Sequence, residues 1–300
     1  MDTPLLLIHF NRPDITKQAI EALKPVEPRR IWVLCDAART EKPGEAEKVE
    51  SVRAQLESLP WLCEIRRLYR EDNLGCFRNI SDGISWFLKD CGGEGIILED
   101  DCIADPSFFP FCTQLLVRYR DDPSVYAISG HNRSTQPLDS EVDYLFSNYF
   151  ECWGWATWQS AWTQFDPTMQ ACTDRTRWKA LCQRLFTGIR QRLYWDIMFG
   201  KVQNGQRTSW AYRYFLSILG NNGKTIIPSL NLTENIGFRE DCTHCISSSV
   251  KCVVANAVSF PLTHPESTTI SLETDRWFED NFHSKSFFKR MQWLFSKLRK

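Results

Sequence analysis

The first 130 residues predict an α/β fold, doubly wound about a mixed, mostly parallel sheet. Three observations carry that expectation: short continuous apolar runs, amphipathic stretches of helical period between them, and acidic residues at the ends of two runs.

The run LLLIHF at residues 5–10 is apolar apart from His9, and Arg12-Pro13 marks the turn out of it. Residues 14–23 suit a helix, with Ile15, Ala19, Ala22 and Leu23 near one face. A second strand at 31–35 stops immediately before Asp36. The charged stretch 40–59 reads as a loop and then a helix using Val49, Val52, Leu56 and Leu59, and a shorter strand follows at 65–69. Residues 78–88 form the next helix, because Ile80, Ile84, Phe87 and Leu88 gather on one side. Gly92-Gly93 breaks it, and 95–98 resumes a strand whose end carries Glu99-Asp100-Asp101. A helix at 108–119 and a strand at 125–129 complete this half.

Beyond residue 130 the character changes. Residues 144–162 are crowded with aromatics and include CWGWATW; helices are expected around 178–189 and 210–219, and Ile226-Ile227 lead into a short strand and the loop PSLNLTENIGF. With no repeat and no low-complexity linker, the second half is expected to cover the first rather than move as a tethered unit. At the carboxyl end, Phe287, Phe288, Met291, Leu294, Phe295 and Leu298 follow a helical period among lysines and arginines, and no acidic residue follows Asn281. Such a basic amphipathic helix either packs on its own protein or lies on an anionic membrane surface.

Composition narrows the function classes. Lys and Arg (36) nearly cancel Asp and Glu (37), and the formal charge of -1 supplies no global field for gathering nucleic acid. Twelve irregularly spaced cysteines read as reduced, buried thiols of a cytoplasmic protein, and the close pair Cys242 and Cys245 lacks the second pair of a zinc site. The amino-terminal MDTPLLLIHFNRP has too short an apolar run for a membrane span and no preceding positive segment, so it reads as a first buried strand. Neither GxGxxG nor a phosphate-loop lysine motif is present. Twelve tryptophans offer indoles that pack in a core or form a platform for a sugar ring.

The chemistry concentrates at strand ends, where open α/β sheets bind ligands. Three adjacent carboxylates repel one another unless protons, cationic side chains or a metal offset them, and a hard divalent cation bridging to a diphosphate does so. Asp101 is the expected direct ligand, with Glu99 and Asp100 positioning donor groups or waters. Asp36 could accept from a base or ribose, or simply begin a turn. In REDNLGCFRN, Asn73 and Gly75 suit a turn near a ligand, and Arg78 is a candidate phosphate partner. Asp196, set among large apolar residues in LYWDIMF, is the candidate general base, with Glu151 in reserve. His244 in REDCTHC is a candidate distal metal ligand or a structural histidine.

The order of LLLIHFNRP, IWVLCDAAR, NLGCFRN, IILEDDC, CWGWATW and NIGFREDCTH resembles GT-A fold glycosyltransferases, especially bacterial family-2-like enzymes and, more distantly, the protein N-acetylglucosaminyltransferase I group. The resemblance implies one catalytic domain over residues 1–245, with a nucleotide-sugar half (1–130) and an acceptor half (131–245), then an extension at 246–300. It implies a metal-dependent, inverting transfer from a nucleotide-sugar donor to the hydroxyl of an oligosaccharide, polysaccharide or lipid-linked glycan. Asp36 with Arg39 would meet the nucleotide, Asp101 would bind Mn2+ or Mg2+ through the diphosphate, Asp196 would act as base, and His244 would close over the metal. Polysaccharide synthesis in the cytoplasm, peripheral to the inner membrane face, would suit such an enzyme. Alternative readings are a sugar-phosphate nucleotidyltransferase or a non-catalytic carbohydrate-binding or assembly protein.

Overall fold

In the computed structural model, residues 1–134, 136–139, 141–186, 188–237 and 253–283 are described. The first half alternates as its periodicity predicts: β1 (Leu5–His9), α1 (Pro13–Leu23), β2 (Arg30–Cys35), α2 (Glu45–Glu57), β3 (Glu64–Tyr69), α3 (Gly75–Cys91) and β4 (Glu94–Glu99). A short β5 (Cys102–Ala104), α4 (Phe108–Tyr119) and β6 (Val125–Ser129) follow. The aromatic stretch then supplies β7 (Tyr144–Ser147) and β8 (Trp155–Trp158), with α5 (Gln159–Trp162) directly after. Next come α6 (Gln170–Thr173), α7 (Arg175–Leu185), α8 (Ile189–Gln203), α9 (Trp210–Gly220), β9 (Lys224–Pro228), β10 (Thr233–Asn235) and α10 (Leu272–Phe278).

Among the described residues an eight-stranded sheet has the order β3-β2-β1-β4-β8-β6-β9-β7, and β10 pairs separately with β5. The block β3-β2-β1-β4 is parallel throughout; β8 runs antiparallel to both β4 and β6, β9 is parallel to β6, and β7 closes the edge antiparallel to β9. The mixed, mostly parallel α/β expectation therefore holds. From β1 the chain steps through α1 to β2 on one side and, after α3, returns to β4 on the other. This reversal of strand order makes the carboxyl ends of β1 and β4 the switch point where such sheets open a crevice.

Strand side chains alternate between faces, and the two faces are covered by different helices. Leu5, Leu7, Ile31, Val33 and Ile96 share a cluster with Ile20 and Leu23 of α1, Val52 and Leu56 of α2, and Phe108 and Leu115 of α4. Leu6, Ile8, Trp32, Leu34 and Ile97 join Ile80, Ile84 and Phe87 of α3, together with the aromatics of α8 and α9. Burial on both faces explains why these strands read as unbroken apolar runs.

The second half does more than cover the first: it contributes an interior strand. Ala156 of β8 lies opposite both Ile96 and Ile128, so the small residue sits between two parallel blocks while Trp155 is fully buried on the α3 face. One helix departs from expectation. The helix anticipated at 178–189 is α7, which begins earlier at Arg175, and α8 is a separate element. Its sequence IRQRLYWDIMFGKVQ mixes arginines with large apolar residues and lacks a clean polar face, yet Tyr194, Trp195, Met198, Phe199 and Val202 are buried.

The described cysteines are free thiols, most of them buried. No described helix is long and apolar enough to cross a membrane. Of the extension, α10 returns to the second half: Phe278 is fully buried, and Asp275 accepts from Ser147 Oγ and from Asn148 Nδ2 at 2.5 and 2.6 Å. The basic helix anticipated at 287–298, with its membrane alternative, lies outside the described residues.

Phe87 is fully buried and meets Trp32 edge-on at 5.5 Å between ring centroids. Phe87→Ala is expected to cost roughly 3–5 kcal/mol in chemical denaturation, while Leu62→Ser stays within about 0.5 kcal/mol, since Leu62 is 95% exposed.

Candidate active site

Strand register brings the sequence-distant acids to one edge. Ile8 lies opposite Glu99, and His9 opposite Cys35, so the residues following β1, β2 and β4 emerge together. They border a cavity of about 390 Å³ whose lining includes Arg12, Asp36, Asn73, Glu99, Asp100 and Asp101 on one side and Cys152, Trp153 and Trp210 on the other.

Arg12, at the N-cap of α1, reaches across the end of β4. Its Nε donates to Asp100 Oδ2 at 3.1 Å, and its Nη2 contacts Asp100 Oδ1 and donates to Asp101 Oδ2 at 3.0 Å. Asn235, at the end of β10, donates through Nδ2 to Asp101 Oδ1 at 3.1 Å, and the Ile236 amide donates to the Asp101 carbonyl at 2.8 Å. The Glu99 side chain receives none of the hydrogen bonds that hold Asp100 and Asp101. Burial raises all three carboxyls above their usual range. Glu99 is pushed to about 8 by burial and then by the charges of Asp101 and Asp100, with Arg12 opposing. At Asp100 and Asp101 burial also dominates, and Arg12 pulls the other way. Burial works against the Arg12 cation too, but the two aspartates more than offset it and hold it firmly protonated. Below them His9 donates to or accepts from Thr16 Oγ1 at 3.0 Å, and burial lowers its pKa to about 3.

The nucleotide-side residues form a structural clamp. Asp36 Oδ1 accepts from the amides of Ala37 and Leu74, each at 3.0 Å, and Oδ2 accepts from the Gly75 amide at 2.9 Å. Asp36 thus caps α3 from a distant strand, which is why that helix starts at Gly75 instead of Arg78. Gly75 has φ +74° with open space where a Cβ would stand, so backbone conformation and not crowding calls for glycine. Asn73 Nδ2 donates to the Ala37 carbonyl at 2.6 Å, tying the two loops together. Arg39 lines the cavity but is held by Glu45, which accepts from its amide at 2.7 Å and its guanidinium at 2.9 and 2.5 Å, and from Asn11 at 2.8 Å. Those hydrogen bonds, Arg39's first, draw Glu45 down to about 2. Arg78 is not brought to this cavity: its side chain is 70% exposed on α3 and lies 3.7 Å from Asp82. The guanidinium at the acids is Arg12's.

The tryptophans of CWGWATW are sorted by whether they lie within β8 or before it. Trp155 and Trp158 are buried in the sheet, whereas Trp153, just before β8, lines the cavity with the His131 ring tilted against it at 4.5 Å between centroids and the Arg133 guanidinium 5.2 Å from its ring. Glu151 is buried and grips Arg133 through two hydrogen bonds of 2.8 and 2.9 Å; it fixes the cation beneath Trp153 and is not part of the lining. Asp196 stands apart as well. On α8 it accepts from Trp178 Nε1 at 2.7 Å and Arg175 Nη1 at 3.1 Å, its side chain is 39% exposed, and it is not among the lining residues. The apolar setting suggested by LYWDIMF belongs to Tyr194, Trp195, Met198 and Phe199, which are buried, while Asp196 faces Arg175. His244, Cys242 and Cys245 lie outside the described residues.

Sequence reading missed Arg12 and Asn235. Arg12 carried one signal, its position between a strand end and the Pro13 that opens a helix; Asn235 carried none, because its partner is 134 residues away.

A divalent cation fits this donor set in a particular way. Among the described residues no three His, Cys, Asp or Glu side chains converge as a ready cage. One carboxylate completed by substrate phosphates is a usual arrangement for Mg2+, and the buried excess of carboxylates over cations favours positive charge here.

No family model matches the chain, and no curated protein sequence matches it. Solved structures similar to it include a mannosyltransferase from Pyrobaculum calidifontis in complex with GDP-Man and Mn2+, at 12% identity and TM-score 0.36, covering 74% of this chain and 70% of that one. Mannose-1-phosphate geranyltransferase from Thermus thermophilus gives 12% and 0.36, with 78% and 75% covered. Mouse xyloside xylosyltransferase 1, in apo form, gives 11% and 0.36, with 74% and 82% covered. At these values the functional reading rests on the residues of this chain.

Because burial and the neighbouring aspartates push Glu99 up from 4.5 to about 8, the folded state holds its proton more tightly and stability falls as pH rises between those values. Glu99→Gln is therefore expected to melt higher than the parent at pH 8, the gain shrinking to nothing towards pH 4. A gain independent of pH would contradict the burial of this carboxyl.

Proposed function

We propose that the chain is a metal-dependent glycosyltransferase that takes a sugar from a nucleotide-activated donor and passes it to a glycan or glycolipid hydroxyl. The observation that carries the reading is the Glu99-Asp100-Asp101 triplet at the β1/β4 switch point, with Asp100 buried and bridged to Asp101 by Arg12, facing an indole wall across the cavity.

Each group has a role that its setting supports. Arg12 presents a planar fork suited to phosphate oxygens. Asp101 would hold Mn2+ or Mg2+ together with the donor diphosphate, and the ion would offset the charge of the departing nucleotide. Glu99, which receives no hydrogen bond from Arg12 or Asn235, meets a hydroxyl of the donor. Asp36 and Asn73 hold the loop against which the base and ribose rest, and Arg39, steadied by Glu45, edges the same side. Trp153 gives the sugar or acceptor ring an apolar face backed by Arg133. Asp196 and Glu151 are engaged elsewhere and are given no proton transfer here.

The test is thermal stabilisation against nucleoside diphosphates and nucleotide sugars with Mn2+, Mg2+ or chelator. The expected outcome is a base-selective shift that needs metal and nucleotide together and disappears in Asp101→Asn. Turnover should then release the nucleoside phosphate from the donor. A nucleotide-sugar formed from nucleoside triphosphate and sugar phosphate would instead establish a nucleotidyltransferase. Glycan binding indifferent to nucleotide and metal would establish a binding or assembly protein.

A further inference from the structure

We propose that Arg12 and a divalent cation compete for one oxygen, Asp101 Oδ2, and that an anionic ligand settles the competition by taking up the guanidinium. The cation and the anion, a nucleoside diphosphate, both come from the reading above; the geometry supplies the oxygen for which they would compete with Arg12.

Asp101 is engaged at both carboxylate oxygens and at its main-chain carbonyl. Asn235 donates to Oδ1, the Ile236 amide to the main-chain carbonyl, and Arg12 to Oδ2. Gly237 seals one approach to Oδ2, since a Cβ at that position would collide with this oxygen. A cation therefore reaches Oδ2 from the cavity side, where the Arg12 guanidinium already lies.

Asn235 and Gly237 belong to a backbone segment anchored by the β10/β5 pairing, with Asn235 opposite Cys102. The Ile236 amide, bonded to the Asp101 carbonyl, continues this anchorage just past the ladder. Arg12 is tied differently. Its main-chain carbonyl accepts from the Thr16 amide at 2.9 Å as α1 begins, and its side chain makes no capping hydrogen bond. The side chain is 23% exposed and borders the cavity, so it can swing without disturbing the helix.

Charge then decides the linkage. A guanidinium cannot be neutralised by deprotonation, so a divalent ion at Oδ2 meets a fixed positive neighbour. A diphosphate relieves that repulsion by pairing with both cations. Metal and anion should consequently bind with positive and reciprocal coupling, each weak without the other. Arg12 is in this sense a positioning residue that keeps the acids charge-compensated and sets the order in which ligands are held.

Manganese binding can be read without turnover, from the loss of the free Mn2+ electron paramagnetic resonance signal on titration with protein. Arg12→Gln is expected to bind Mn2+ alone roughly ten-fold more tightly than the parent, within the usual range of coupling between sites, and to lose most of the further gain from added nucleoside diphosphate. Arg12→Lys, which keeps the charge but cannot bridge two carboxylates, should fall between them. Arg12→Gln combined with Asp101→Asn should bind none. A folded Arg12→Gln with equal or weaker Mn2+ affinity overturns the proposal; if that variant does not fold, Arg12→Lys with parental affinity overturns it equally, as does absence of Mn2+ binding in all variants. Tighter binding of Mn2+ alone by Arg12→Gln, with no nucleoside diphosphate affecting the parent, would uphold the competition and refute the nucleotide-sugar reading.

Discussion

Three consecutive carboxylates at the end of a buried strand are the constraint on which the rest of this site depends. Burial penalises each charge and each penalises the next, so the triplet persists only because cationic and amide groups are carried to it. Arg12 comes from the turn after β1, and Asn235 comes from the end of β10. Both deliveries require the sheet: β1 must lie beside β4, and β10 must pair with β5 immediately after the acids. The fold is thus arranged so that the charge problem is solved jointly by segments from both halves of the chain.

The same logic governs the neighbouring loops. Asp36 does not project freely into the cavity; three backbone amides saturate its carboxylate and start α3. Arg39 is likewise steadied by Glu45, and Arg133 by Glu151. Charged side chains at the rim are locked by partners, so the walls are pre-formed before any ligand enters. Against this fixed frame, Arg12 is, among the described residues, the cation held by side-chain contacts to the acids themselves.

The opposite wall is built by strand placement and aromatic packing. Placing β8 between β4 and β6 buries Trp155 and Trp158, and leaves Trp153 at the strand's entry, level with the acids. Trp210, at the start of α9, stacks on Trp155 with ring centroids 5.5 Å apart, so the cavity's indole wall is continuous with the hydrophobic core. A sugar platform of this kind is rigid because its support is the sheet itself.

The sequence by itself determined the α/β class, the positions of β1 through β4 and the strand-end location of Asp36 and the acidic triplet. Those features are local: apolar runs, helical periodicity and glycine breaks are written within a few residues of the elements they define. The tertiary structure alone decided which arginine meets the acids, that Asp196 turns toward Arg175, that Asp36 caps a helix more than thirty residues away, and which indole of CWGWATW reaches the cavity. Each depends on strand order and register between distant segments, and a side chain's facing changes with every residue of register. Local patterns cannot encode that choice; it is made only when both cores close on the two faces of the sheet.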